Sequence, residues 1–520
     1  RDEDREALER QQIFLAPHGM EQFHLEIQNL YAALAQPTEK LTVSYPVSDG
    51  KGAEKRPSFV IGRIARLLPS ISVETESADK EYRLSAKSTA LEYAGEHIGG
   101  ALWQYFEGKA DAQSALAAMR AASRMTRGRL SKSAVRALYG DTLRLSASQM
   151  DKARACHFAY FLRYGLRAKE RTGAGFDAPQ IGTFVHDVME HTLRAAKARG
   201  GLHTLEKSEL HALVQAAIAD YRSRVLPDLS EKSARFRYLF DRLCGSTERI
   251  MDEVADELKH SDFEPVAFEL AFGPNGQLPA VTVCEKGNIA RVVGKVDRVD
   301  GWEHGGRLYL RVVDYKTGKK SFDLAELRYG LGLQMLLYLF TLKEEGQMLF
   351  GGHEIVPAGV LYTPAREPML RCARDTEPEK IEKALKKELR RSGMVLEDPA
   401  VLQAMEHSAL ESPCYLPIAV KRDGAVTGSL ASAEQLGKLS KYVDHILHEI
   451  TQEVFAGNID ADPYARTPQQ SACTYCEFAS ACHFENGCGS DRMEYIKATK
   501  NDEFWQYIDE VNGEGAHENG

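Results

Sequence analysis

The sequence has no apolar run long enough to cross a bilayer, which excludes a bundle of membrane-spanning helices. Excess positive charge is also missing. Lys and Arg number 66 against 75 Asp and Glu, for a net charge of −9, so any nucleic-acid contact must be built locally. No G-x-x-x-x-G-K-S/T loop occurs, which removes the usual phosphate cradle of an ATPase from this chain. The start, "RDEDREALER", has neither an initiator Met nor an apolar core, so it is no secretory leader and reads as the interior of a longer protein. Nine cysteines are an odd number without secretory flanks. Disulfides are therefore disfavoured, and a reducing, cytoplasmic compartment with thiolate ligation of a metal or cluster is expected. Internal repeats and low-complexity tracts are lacking.

What is present is mixed helix and strand. "MEQFHLEIQNLYAAL" predicts a helix and "EKLTVSYPV" a strand after it. From Ala86 to about Tyr139 the pattern is helical. Between Arg120 and Arg144 stand seven basic residues (Arg120, Arg124, Arg127, Arg129, Lys132, Arg136, Arg144) against Asp141 alone. That is either a solvated face or a phosphate-contacting one. Ser146 or Ser148 caps a helix at "LSASQMDKARAC", with Gln149 or Asp151 closing a capping box. The loop "TGAGFDAPQ" then leads to the helix "IGTFVHDVMEHTLRAAKARG", closed by Gly200-Gly201. Two further helices reach Lys259. The strands "EPVAFELAF", "PAVTVCE", "ARVVGKVDRVDGW" and "RLYLRVVDYKTG" follow, then the helix "GLQMLLYLFTLKEE" and a strand near "VPAGVLYT". A hairpin is expected at "LPIAVKRDGAV", with Asp423-Gly424 as a type I′ turn.

One strand end is chemically odd. In "RVVDYKTGKK" an apolar strand finishes on Asp314 and Lys316, which share a face because strand side chains alternate. Alone, an Asp-x-Lys pair is most simply a surface ion pair. Asp297, on the preceding strand, would converge with Asp314 if the two strands are antiparallel across the turn "EHGGR". Two carboxylates suit Mg²⁺ or Mn²⁺. Lys316 would then orient or deprotonate an attacking water and offset the charge developing on a phosphate. His186 is the one imidazole on an otherwise apolar helix face, with Glu190 four residues on as its expected support. His191 is five residues from His186, about 140° around the helix, which excludes the two-histidine zinc-protease pattern. Gln334 and Tyr338, four residues apart, share a face of the next helix.

Taken in order, Gly182-x-x-x-His186, Glu269, "GKVDRVD" with Asp297, "VDYKTG" with Asp314 and Lys316, and Gln334-x-x-x-Tyr338 resemble the RecB-type nuclease domain of the PD-(D/E)XK superfamily. The resemblance implies a restriction-endonuclease-like α/β core, with a mixed sheet flanked by helices. It implies that His186, Asp297, Asp314 and the Tyr315 carbonyl bind the metal and that Lys316 is catalytic. Gln334 and Tyr338 would position DNA or support the site, and Glu269 would be an accessory acid. No proline precedes Asp297, a departure from the superfamily name.

"SACTYCEFASACHF" offers Cys473, Cys476 and Cys482. Three thiolates need a fourth, and spacing leaves Cys488 and Cys156 both open. RecB-type nucleases with an iron–sulfur cluster place one cysteine before the core and three after it. The resemblance therefore implies a 4Fe–4S cluster on Cys156, Cys473, Cys476 and Cys482, stapling the domain across 316 intervening residues. A four-cysteine zinc site is the alternative. His157 stands where that family often has proline.

"LYAALAQPTEKLTVSYP" resembles the last motif of superfamily 1 helicases, but Ala35-Gln36 replaces its Thr-Arg pair, implying lost ATP hydrolysis. A dead helicase remnant before such a nuclease resembles the B-subunit family of AddAB helicase–nucleases. That resemblance implies an ATPase-active A subunit as partner, DNA as substrate and cutting of the 5′-terminated strand. The expected divisions are a helicase-like remnant (1–85), a helical basic connector (86–145), the nuclease domain (146–500) and a polar, partly disordered tail (501–520).

Overall fold

Residues 288–316 fold into the two strands that organise everything around them. The turn between them is Gly305-Gly306, both at positive φ (59° and 77°), the two-residue hairpin geometry that glycine adopts without strain. The computed structural model describes residues 2–11, 19–47, 54–71, 79–124, 126–169, 178–318, 320–373, 375–467 and 469–514. In chain order its strands are β1 (Thr142–Ser146), β2 (Glu264–Phe272), β3 (Val281–Glu285), β4 (Asn288–His304), β5 (Arg307–Lys316), β6 (Glu354–Pro364), β7 (Ser392–Leu396), β8 (Ile418–Val420), β9 (Val426–Gly428) and β10 (Leu430–Ala431), with short pairings after them.

The principal sheet is mixed. β4 is antiparallel to β5, which is parallel to β6, which is antiparallel to β7, with β10 parallel at the edge. The first half of β4 pairs with β1 and β3, and its second half pairs with β2. Helices cover both faces. On one face Ala178–Ala198, Lys207–Val225 and Ala234–Lys259 pack with Phe268, Val313 and Tyr315. On the other, Gln334–Glu345, Ala433–Phe455 and Ala147–Ala155 pack with Val299, Val312 and Leu310. This is the expected α/β architecture, and the strand limits fall close to those read from alternation.

One patch of the sheet's interior is charged. Arg298, Asp300 and Arg311 on β4 and β5, Glu257 at the end of its helix, and Arg391 before β7 are each at most 3% exposed. Arg298 and Arg311 both reach Asp300, at 2.8 and 2.9 Å. Arg311 and Arg391 both reach Glu257, at 3.3 and 2.6 Å. Five buried charges in mutual contact tie a helix to three strands. Their desolvation cost makes them a device of registry more than of stability, and removal of one partner is costly.

Several expectations are corrected. "EKLTVSYPV" is not a strand: residues 39–47 carry no strand pairing. A β-prone segment needs a partner, and none is beside it among the described residues. The helix after the loop begins at Ala178, three residues early, since proline is well tolerated in a first turn; residues 172–177 lie outside the described residues. Gly424 is at φ 84° but Asp423 is not positive, so the β8–β9 loop is a type I turn closed by a left-handed glycine. The tail is largely ordered: Asn501–Glu514 is helical and buries Phe504 and Ile508, while residues 515–520 lie outside the described residues. The Ser146–Gln149 capping box forms, and Gly201 closes the helix by donating to Ala196 O.

The chain divides into two compact units, Arg1–Ala117 and Ala118–Gly520. The first is helical among the described residues, with Trp103, Phe106 and Leu116 buried.

Burial works to raise the Glu257 carboxyl, but Arg391, Arg311 and Arg298 outweigh it and hold it at about 2, against an ordinary 4.5. A carboxylate depressed in this way stabilises the fold above its ordinary value, and that contribution is lost as pH falls toward 2. Glu257→Gln is expected to cost about 3–5 kcal/mol at neutral pH, because it strands two buried guanidiniums. In urea denaturation the gap to wild type should close as pH drops below 4.5. A pH-independent gap would contradict the assignment.

Candidate active site

The ladder between β4 and β5 runs from the turn to Arg298↔Val313 and then opens. Beyond that point the Asp297 carboxylate takes the place of a backbone partner, accepting the Tyr315 N–H at 3.0 Å. His186, on the helix Ala178–Ala198, joins the same two residues. Its Nδ1 is 3.4 Å from Asp297 Oδ2 and its Nε2 is 2.9 Å from the Tyr315 carbonyl. Burial would lower the His186 pKa, but Asp297, the Tyr315 carbonyl and Asp314 raise it overall. A cation binding there must displace that proton, so its affinity rises with pH.

Glu269 completes this group. Among the described residues, His186, Glu269 and Asp297 form the one set of His, Cys, Asp or Glu side chains whose donor atoms all lie within 4.8 Å of one another. Glu269 sits at φ 50°, a left-handed conformation that costs a non-glycine residue roughly 1–2 kcal/mol. The kink switches β2 from one core to the other, Phe268 facing one and Leu270 the other, with Glu269 between them beside Asp297. Its carboxylate also pairs with Lys295. No local pattern in the sequence signals this kink.

Asp314 stands outside that tight set because its Oδ2 lies 2.6 Å from Lys316 Nζ. Burial, and then the Asp297 carboxylate, push the Asp314 carboxyl well above its ordinary range, although Lys316 opposes them. Two carboxylates held close in a half-dry pocket repel each other, and a divalent cation relieves that repulsion. Lys316 is one-third exposed, so its ammonium faces both Asp314 and the opening. Gln334 donates to the Tyr338 hydroxyl at 3.2 Å. Tyr338 itself is buried and packs edge-on against Phe272, where a methyl group at Gly294 would collide with both rings. Its placement is that of a wall behind the site. Glu190 does not support His186: it holds Arg194 at 2.8 Å, and Arg194 in turn donates to the Phe268 carbonyl, fastening the helix to β2.

The four expected cluster cysteines, Cys156, Cys473, Cys476 and Cys482, line one cavity of about 180 Å³, together with Phe158 and Phe478. Burial pushes the Cys156 thiol up to about 12. No three of these sulfurs lie within 4.8 Å of one another. Cys488 is exposed and does not line the cavity. His157, read from sequence only as a proline replacement, is a clamp. Its amide and ring both bond Asp462, at 2.9 and 2.5 Å, and its ring also reaches Glu453 at 3.1 Å. This fixes the Cys156 turn to the segment that leads into the other three cysteines. Arg127, from the basic stretch, turns inward. It pairs with Asp491 at 2.7 Å, donates to the Cys482 carbonyl at 3.0 Å and stacks on Phe158.

An acid on one strand, an acid and a lysine on its antiparallel neighbour, and helices over both faces define a class that the comparisons name. The family model described as PD-(D/E)XK nuclease superfamily matches residues 144–483, well over half of the chain, and the chain belongs to that superfamily. Nucleases of this superfamily use divalent metals. More particularly, the chain is similar to proteins named as the B subunit of an ATP-dependent helicase/deoxyribonuclease. The one from Thermoanaerobacter sp. (strain X514) is 29% identical over 99% of this chain and 47% of its own length. That from Acetivibrio thermocellus is 31% identical over 98% and 46%, and that from Ruminiclostridium cellulolyticum 29% over 98% and 46%. The chain thus spans somewhat under half the length of these relatives.

Asp314→Asn removes one of two mutually repelling carboxylates. In EDTA its melting temperature is expected to rise by roughly 2 °C or more over wild type, and the further rise that Mg²⁺ gives wild type should be absent. A lower melting temperature, or an intact Mg²⁺ response, would sink the placement of Asp314 at the cation site.

Proposed function

We propose that this chain is the nuclease portion of a helicase–nuclease B subunit, hydrolysing DNA phosphodiester bonds with Mg²⁺ or Mn²⁺. The observation that carries this reading is the meeting of His186, Asp297, Asp314 and Lys316 where the β4–β5 ladder opens, inside the region matched to the superfamily. Asp297, Asp314, the Tyr315 carbonyl and His186 supply hard oxygen and imidazole donors suited to such a cation, with Glu269 as a further carboxylate in reach. The cation, when bound, polarises the phosphate and lowers the pKa of water. Lys316 takes up or orients the proton of the attacking water and offsets charge on the scissile phosphate. Gln334 and Tyr338 hold the wall behind Asp297 and Asp314.

The cysteine cavity supports a 4Fe–4S cluster on Cys156, Cys473, Cys476 and Cys482. A single tetrahedral zinc draws sulfurs to within about 4 Å of each other, since Zn–S bonds are ~2.3 Å. The spacing here is wider and the cavity roomy. The relatives' name motivates the rest: an ATPase-bearing partner, intracellular DNA ends as substrate, a role in recombination repair, and cutting of the 5′-terminated strand. A degenerate helicase remnant at the N-terminal end fits the same assembly.

The nuclease reading is tested with end-labelled single-stranded DNA, with and without Mg²⁺. Wild type should degrade it only with the metal, and Lys316→Ala should lose at least about 100-fold of the rate, the lower range for a positioned acid–base group. Equal rates would overturn it. For the cluster, the purified protein should be brown and contain iron. Cys156→Ala should bleach it and lower the melting temperature. Zinc without iron would replace the cluster by the zinc alternative.

A further inference from the structure

A second opening lies beside Lys316, on the side away from His186. It is a cleft of about 280 Å³ at the ends of β5 and β6 and the start of β7. Lys316, Lys320, Arg366 and Arg390 line it, with Tyr362 and Ser392. The one carboxylate in its lining, Glu388, is 3.4 Å from Arg366. Arg390 donates through Nη2 to the Pro413 carbonyl at 2.7 Å, but its Nε is buried and has no hydrogen-bond partner among the described residues. Lys320 has only a 3.5 Å pairing with Glu326, which Arg466 shares.

Four cations against one carboxylate repel one another unless an anion joins them, and a buried guanidinium N–H without an acceptor is costly. Lys316 belongs to both openings, so an anion in this cleft lies next to whatever phosphate the metal-site residues hold. We propose that the cleft binds a backbone phosphate of the same DNA strand, the neighbour of the scissile one, and so sets the strand's course across the ends of β5, β6 and β7. Arg366 and Arg390 present planar forks suited to phosphate oxygens, and Lys320 adds a mobile charge at the rim. The sequence gives no hint of this grouping, because Lys320, Arg366 and Arg390 come from three separate connections.

The proposal rests on the nuclease reading and is tested with short single-stranded oligonucleotides in which one linkage at a time is a neutral methylphosphonate. For wild type, neutralising the linkage beside the cut should lower kcat/KM about five-fold, and the salt dependence should flatten by about 0.7 in log–log slope, the amount for one phosphate on a single strand. Arg366→Gln should show the same loss on the all-phosphate substrate and no further loss on the neutralised one. Lys320→Gln, at an exposed position, should behave alike and guards against a folding defect. The proposal is overturned if either variant matches wild type on the all-phosphate substrate, or if the neutral linkage costs variant and wild type the same factor. If wild type fails to cut with Mg²⁺, the nuclease reading falls instead.

Discussion

The bond from the Tyr315 amide to the Asp297 carboxylate is the contact on which the site depends. A strand pair that continued its ladder one residue further would satisfy that amide with a carbonyl and leave Asp297 free to turn to solvent. Here the side chain does the backbone's work. That fixes the carboxylate on β4 against the Tyr315 carbonyl on β5, and His186 closes the triangle from the helix above. Asp314 and Lys316 flank Tyr315 and share the face that Asp297 occupies, so their positions follow from the same register.

The rigidity of that arrangement has a source on the opposite face of the sheet. The Tyr315 hydroxyl accepts from Arg298 at 2.7 Å, and Arg298 belongs to the buried network of Asp300, Arg311, Glu257 and Arg391. Tyr315 is therefore held at both ends, by its amide and carbonyl at the site and by its hydroxyl in the core. The buried ion pairs exchange stability for a fixed register. Register is what a site assembled from two strands and a helix requires, because a slip of one residue would turn Asp314 to the wrong face.

Much of this was legible in the sequence, for reasons that can be named. Alternation marked β2 to β6 because those strands bury one face against each helix layer, and "EHGGR" marked the turn that pairs Asp297 with Asp314. The order of His186, Asp297, Asp314 and Lys316 carried the superfamily likeness that the family comparison then supported. What stayed hidden was tertiary. The left-handed kink at Glu269 breaks alternation without a glycine to announce it. The His157 clamp depends on Asp462 and Glu453, some 300 residues away in sequence. Glu190 lay at the right helical spacing for His186 but answered to a nearer arginine at the same spacing on its other side. The "EKLTVSYPV" segment had β propensity and no neighbour to pair with, and propensity alone does not make a strand.

The central claim is that a single divalent-cation site sits between His186 and the carboxylates at the open end of β4 and β5. Crystals soaked in Mn²⁺ and measured for anomalous scattering at the manganese edge test it directly. The account predicts a peak bonded to Asp297, with His186, the Tyr315 carbonyl and at least one of Asp314 and Glu269 around it. Manganese bound elsewhere while these side chains stay uncoordinated would contradict it.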